Sequence, residues 1–150
     1  MKLASLVDAE LIFPQLEVFD IPTLLRSLAE RIAAHQNIAD AGPLFEALWE
    51  REQLGSTGIG QGIAVPHCKL DGLGDVVMAV AHTTKPIDFS AVDGKPVQLC
   101  FTVVSPRSNP AAHLQCLAAI SGWIQSSGAV EDLIRETDPA AMYAMLTERS

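Results

Sequence analysis

The sequence predicts an α/β sandwich, a central mixed sheet flanked by helices. Three observations predict it. Apolar residues recur at helical spacing near both ends of the chain. Two nearly continuous apolar runs lie in the middle, as buried strands require. Glycine and proline punctuate the segments between them. The 150 residues match one ordinary domain, long enough to bury a substantial core. Hydrophobic residues make up 49% and charged residues 19%, which excludes disorder for the whole.

Each element has its own signal. Glu17-Val18-Phe19 reads as a short extended entry. Asp20 then offers an N-cap, with Pro22 in the first turn. Ile21, Leu24, Leu25, Leu28 and Ile32 share one helical face, which predicts a helix over 21–35. Asp40 caps a second helix whose apolar face is Leu44, Phe45 and Leu48, and Gly55 stops it. Residues 55–62, Gly-Ser-Thr-Gly-Ile-Gly-Gln-Gly, hold four of the ten glycines. Such a loop needs positive φ or close backbone approach. Ile63-Ala64-Val65 follows as a short strand stopped by Pro66. Residues 75–82 and 97–104 are the two apolar runs, with Asp93-Gly94 as a turn between them. Asn109-Pro110 opens a helix running to about Gln125. Gly128 breaks the chain before a short helix around Val130, Leu133 and Ile134. Asp138-Pro139 repeats the cap-plus-proline signal for a last helix.

Charge narrows the function. Ten Lys+Arg against 18 Asp+Glu give −8, whereas a nucleic-acid binder needs a basic face. No apolar run approaches the ~20 residues that cross a bilayer, and the start has no apolar signal region. Cys68, Cys100 and Cys116 show no CxxC spacing and read as reduced thiols of a cytoplasmic protein. Residues 51–107 carry five basic and five acidic side chains. This balanced stretch in an acidic chain is where an anion is best received.

The candidate chemistry sits at Pro66-His67-Cys68. His67 closes the strand after the glycine loop, beside a stiff proline. A neutral imidazole nitrogen can attack phosphorus and later release the group. The phosphoryl group then needs donors, and the loop at Ser56, Thr57, Gly58 and Gly60 could supply amides and two hydroxyls. His113 lies on the inward stripe of the Asn109-Pro110 helix, in its first turn, where the positive helix end also points. Arg51 precedes the loop and can fold over it toward a phosphoryl oxygen.

Three further patterns are weaker. Gly58-Ile59-Gly60-Gln61-Gly62 precedes a strand rather than opening a helix, the wrong context for a dinucleotide site. His67, Cys68, His82 and His113 match no zinc-module spacing. Cys68 alternates in direction with His67, so the histidine is badly placed to activate the thiol.

Residues 50–70, running from Glu50-Arg51 through Leu-Gly-Ser-Thr-Gly-Ile-Gly to Gly-Ile-Ala-Val-Pro-His-Cys-Lys-Leu, resemble a known active-site segment. It is that of the type 2 enzyme IIA domains of the phosphoenolpyruvate-dependent phosphotransferase system, the fructose/mannitol class. Pro86-Ile87-Asp88-Phe89, Asp93-Gly94-Lys95-Pro96-Val97 and the His113-Leu114 helix start follow in the family's order. The first fifteen or so residues carry none of the resemblance. It implies a single domain over 1–150, with a core of about 16–148, in the family's α/β sandwich. It implies His67 as the phosphorylated histidine, His113 as the second active-site histidine and Arg51 as the arginine before the loop. No metal and no cofactor are implied.

Within the class the chain is most similar to the freestanding nitrogen-regulatory IIA proteins. It leaves no room for a IIB or membrane IIC domain. That branch implies an HPr-like carrier as phosphoryl donor. It also implies regulatory targets such as a potassium transporter or a sensor kinase. The other expectations are a IIA component serving a sugar-specific IIB protein, or a binding module without the chemistry. Cys68 stands where the family often has a small residue. A thiol there is expected to alter access to His67 or to sensitise the site to oxidation.

Overall fold

A computed structural model describes residues 1–126 and 128–148. Ser127 and the last two residues of the expected 1–150 unit lie outside the described residues. The order is β1 (Ile12–Leu16), α1 (Ile21–His35), α2 (Gly42–Leu54), β2 (Gly58–Gly60), β3 (Ile63–Ala64), β4 (His67–Leu70), β5 (Val77–Ile87), β6 (Val97–Pro106), α3 (Pro110–Ile124), α4 (Ala129–Arg135) and α5 (Pro139–Glu148). Single 3-10 turns at Leu3–Ser5 and Ala9–Leu11 precede β1.

The sheet is mixed, as the sequence predicts. Its path is β1-β5-β6-β3-β2, and β4 also pairs with β6. β5 and β6 are antiparallel and form its spine. β1 runs parallel to β5, and both β3 and β4 run parallel to β6. Side chains alternate across this spine. Cys100 and Val104 face the layer of α1 and α2, with Leu24, Leu25, Leu28 and Ile32 of α1 almost wholly buried. Leu99, Phe101 and Val103 face α3, α4 and α5. There Trp123 of α3 stands edge-on to Phe101 with ring centroids 5.7 Å apart. Burying a leucine or isoleucine side chain contributes about 1.5–3 kcal/mol, so each helix is fixed mainly by its apolar face.

The caps follow the reading closely. Asp20 accepts the Thr23 N–H at 2.9 Å, and Asn109 accepts the Ala112 N–H at 3.2 Å. Asp40 accepts the Gly42 N–H, one residue outside its expected place, because Pro43 occupies the first turn.

Four expectations need correction. The extended entry is not Glu17–Phe19 but β1, five residues earlier. The packed core begins before residue 16, since Leu3, Leu11 and Ile12 are buried. The glycine stretch is not all loop: Gly58–Gly60 pairs with β3 as a hairpin turning at Gln61-Gly62. His67 opens β4 rather than closing a strand. Pro66 interrupts the edge, yet its carbonyl accepts the Val103 N–H at 2.9 Å. The register along β6 therefore passes through the proline, and β4 resumes at once.

Candidate functional site

The register brings the two histidines together. His67 pairs with Val103 and Lys69 with Ser105, so His67, Lys69 and Ser105 share the face toward α3. His113 stands in the first turn of α3 over that face. The imidazole centroids are 5.3 Å apart, with the rings inclined at 53°. His67 is partly exposed and His113 is buried.

Hydrogen bonds fix both rings. His67 Nδ1 lies 2.8 Å from the Val65 carbonyl oxygen. A carbonyl only accepts, so Nδ1 carries the proton and Nε2 keeps its lone pair. His113 Nδ1 lies 2.7 Å from Ser105 Oγ, itself fully buried. Burial pushes His67 below the ordinary histidine range; the hydrogen bond to Val65 and the Glu52 charge oppose this, and the Arg51 and Lys69 charges add to it. Burial also lowers His113, with His67 and Lys69 contributing. Both rings are therefore neutral near pH 7, and a neutral ring is the nucleophilic form.

Arg51 folds back as the sequence suggests: its Nη1 donates to the Gly55 carbonyl at 2.7 Å. It borders two clefts that meet at His67. One, of about 210 Å³, is bounded by Ser56, Thr57, Ile59 and Leu117. The other, of about 410 Å³, is bounded by Leu54, Lys69, Arg107 and His113. Lys69 and Arg107 are cations the sequence reading did not single out. Lys69 was findable, because two residues along a strand restore the same face. Arg107 reaches the cleft only through the β4–β6 register, which no local signal carries.

Several donors of the glycine loop turn inward rather than toward the cleft. Thr57 gives its N–H and its hydroxyl to Glu52, each at 2.7 Å. Ser56 Oγ donates to the Phe89 carbonyl and accepts the Gly58 N–H. The Gln61 N–H goes to Asp93, whose carboxylate also lies beside Gly60. The Thr57 N–H and hydroxyl, the Ser56 hydroxyl and the Gly58 N–H are thus already engaged within the protein. Gly58 is needed for close approach: a Cβ there would come within 2.8 Å of the Ala91 Cβ. The helix end also offers less than expected. Pro110 has no N–H, and Asn109 takes that of Ala112.

Cys68 faces the α1–α2 core, and burial pushes its thiol up to about 12. Almost no thiolate exists near neutrality, so the expected oxidation sensitivity finds no support. The zinc set does not assemble either. His82 Nδ1 accepts the Gln15 N–H at 3.1 Å and Nε2 donates to the Glu136 carbonyl at 2.7 Å, away from His67.

The chain matches the family model described as "Phosphoenolpyruvate-dependent sugar phosphotransferase system, EIIA 2" over residues 5–149. It belongs to this family. The "Nitrogen regulatory protein" of Pseudomonas aeruginosa is 38% identical over 126 residues, covering 83% of this chain and 81% of that protein. The protein of the same name from Bradyrhizobium diazoefficiens is 36% identical over 146 residues, covering 97% and 95%. The crystal structure of nitrogen regulatory protein IIA-Ntr from Neisseria meningitidis superposes with a TM-score of 0.88 at 30% identity, covering 97% of this chain and 99% of that one. The sandwich is thus the IIA fold, and a phosphocarrier role in the phosphotransferase system follows from membership. No helix among the described residues is long and apolar enough to cross a membrane.

Proposed function

We propose that His67 accepts a phosphoryl group from an HPr-like carrier, and that partner proteins read the phosphorylated surface. The observation that carries this is the Nδ1–H bond from His67 to Val65, made in a cleft shared with Arg51 and His113. The Nε2 lone pair attacks phosphorus. The P–N bond to the carrier imidazole breaks, and its electron pair returns to that ring. The Nδ1 proton stays where it is throughout, so no base is needed.

The new dianion lies among cations. Arg51 can turn its guanidinium from the Gly55 carbonyl toward the phosphoryl oxygens. When the Ser105 hydroxyl donates to His113 Nδ1, His113 Nε2 carries a proton and becomes a further donor. Hydrogen bonds to a charged group contribute about 1.5–3 kcal/mol each. Lys69 adds longer-range attraction, and Arg107, paired with Asp71 at 3.1 Å, adds less.

The names of these two relatives favour the nitrogen-regulatory branch. In that reading the chain works in the cytoplasm, and its targets are regulatory, a potassium transporter or a sensor kinase among them. Incubation with the general phosphotransferase proteins and labelled phosphoenolpyruvate tests the chemistry. Acid-labile label on the wild type and none on His67→Ala is the expected result. An unlabelled wild type leaves only a binding module, and label passing on to a sugar-specific IIB protein makes this a transport component. Capture of partners with phosphorylated and unphosphorylated protein then identifies the target.

A further inference from the structure

Glu52 follows Arg51 in α2 and, beyond its charge acting on His67, has no role in the chemistry above. Its carboxylate is buried, 8% exposed, and both oxygens are occupied by Thr57, Oε2 by the N–H and Oε1 by the hydroxyl. The chain of bonds continues. The Thr57 carbonyl accepts the Val65 N–H at 3.0 Å. The Val65 carbonyl accepts the His67 Nδ1–H at 2.8 Å. Charge-assisted bonds are short and strong, so the relay begins at a firm anchor. It matters because the segment it crosses has little else to hold it. Gly55 is flexible by composition, and Val65 lies between two strands.

We infer that Glu52 is a positioning residue for His67. Through Thr57 and Val65 it sets the ring's orientation and keeps the proton on Nδ1. Adjacent residues on a helix point about 100° apart. That angle lets Arg51 line the cleft while Glu52 turns inward to hold the loop. The tie between His113 and Ser105 does not run through this relay and serves as an internal control.

Ring-nitrogen NMR on 15N-labelled protein near neutral pH tests the inference. In the wild type, His67 should show a protonated Nδ1 and an unprotonated Nε2. In Glu52→Ala the two His67 nitrogen shifts should converge as the tautomers mix, with His113 unmoved. Glu52→Gln keeps an acceptor for the Thr57 N–H and should restore the wild-type pattern. A folded Glu52→Ala with unchanged His67 shifts overturns the proposal. So does equal movement of both histidines, which marks general loosening. Should Glu52→Ala fail to fold, Thr57→Val removes only the hydroxyl bond. The His67 shifts must then move in the same direction by less, and no movement overturns the idea.

The functional half rests on His67 being the phosphoryl acceptor. The initial transfer rate should fall about tenfold to a hundredfold in Glu52→Ala, as a misplaced reacting group costs, and recover in Glu52→Gln. An unphosphorylated wild type with the tautomer shift intact defeats the phosphocarrier reading alone. A phosphorylated wild type without the shift defeats the role of Glu52 alone.

Discussion

A proton on His67 Nδ1 leaves one nitrogen able to attack, and the residue opposite decides how well the product is held. In the proposed transfer His113 forms and breaks no bond, so its loss would weaken stabilisation only. His113→Ala should slow phosphorylation of His67 by about tenfold to a hundredfold without abolishing it, read as the initial rate of label uptake. His67→Ala should take no label, yet melt within about 4 °C of the wild type, since a partly exposed strand-opening residue contributes at most about 1 kcal/mol. Thr102 shows the reverse economy. Its hydroxyl is fully buried in β6 and has no hydrogen-bond partner among the described residues. Valine keeps the shape and removes the desolvated group, so Thr102→Val should raise stability by about 1 kcal/mol in urea unfolding. The meeting of His67, His113 and Arg51 at one cleft was legible at this scale, since the segment and the helical stripe single them out. The roles of Ser56 and Thr57 were not. Their hydroxyls turn to Phe89 and Glu52, and nothing in local spacing says which acceptor wins.

Among elements, the helices were legible because their caps and apolar stripes are local. β1 was not, and the reason is visible in its residues. Pro14 lacks an N–H and Gln15 has φ +55°, so the register shifts between Phe13 and Leu16. The alternation that marks a strand is broken there, and the neighbouring Glu17-Val18-Phe19 reads more plainly. The β2–β3 hairpin was hidden for a related reason. Its pairing depends on Gly58 fitting against Ala91 and on positive φ at Gly60 and Gly62, which looks like loop composition. Gly58→Ala forces its Cβ into Ala91 and should cost about 1–3 kcal/mol. At about 2–4 °C per kcal/mol for a chain of this size, thermal unfolding resolves that easily. An unchanged melting temperature would mean the hairpin shifts freely, against the packing described.

For the molecule as a whole, one sheet with an apolar layer on each face sets where the site can be. The alternation of β4 sends His67 and Lys69 to one face and Cys68 to the other. Three cations of the balanced 51–107 stretch, Arg51, Lys69 and Arg107, border the His67 cleft beside Glu50 in a chain of net charge −8. Both cleft histidines titrate below their unfolded value of 6.5. As the pH falls past that value, the unfolded chain binds protons first, so stability declines until the folded-state values are passed. Asp20 and Asp93, lowered by hydrogen bonds from their ordinary 3.8, add their loss only at more acid pH. Melting temperature should therefore drop between about pH 7 and 5, and a His67→Ala, His113→Ala double variant should flatten that slope. An identical slope in the variant would show that other groups set it. The indole of Trp123 sits on the same rigid rod as His113, ten residues on, or about 15 Å at 1.5 Å per residue. Held edge-on against Phe101, it is a built-in chromophore. A tilt of that rod when a partner engages the far end changes its near-ultraviolet signal, so engagement can be watched without attaching a dye.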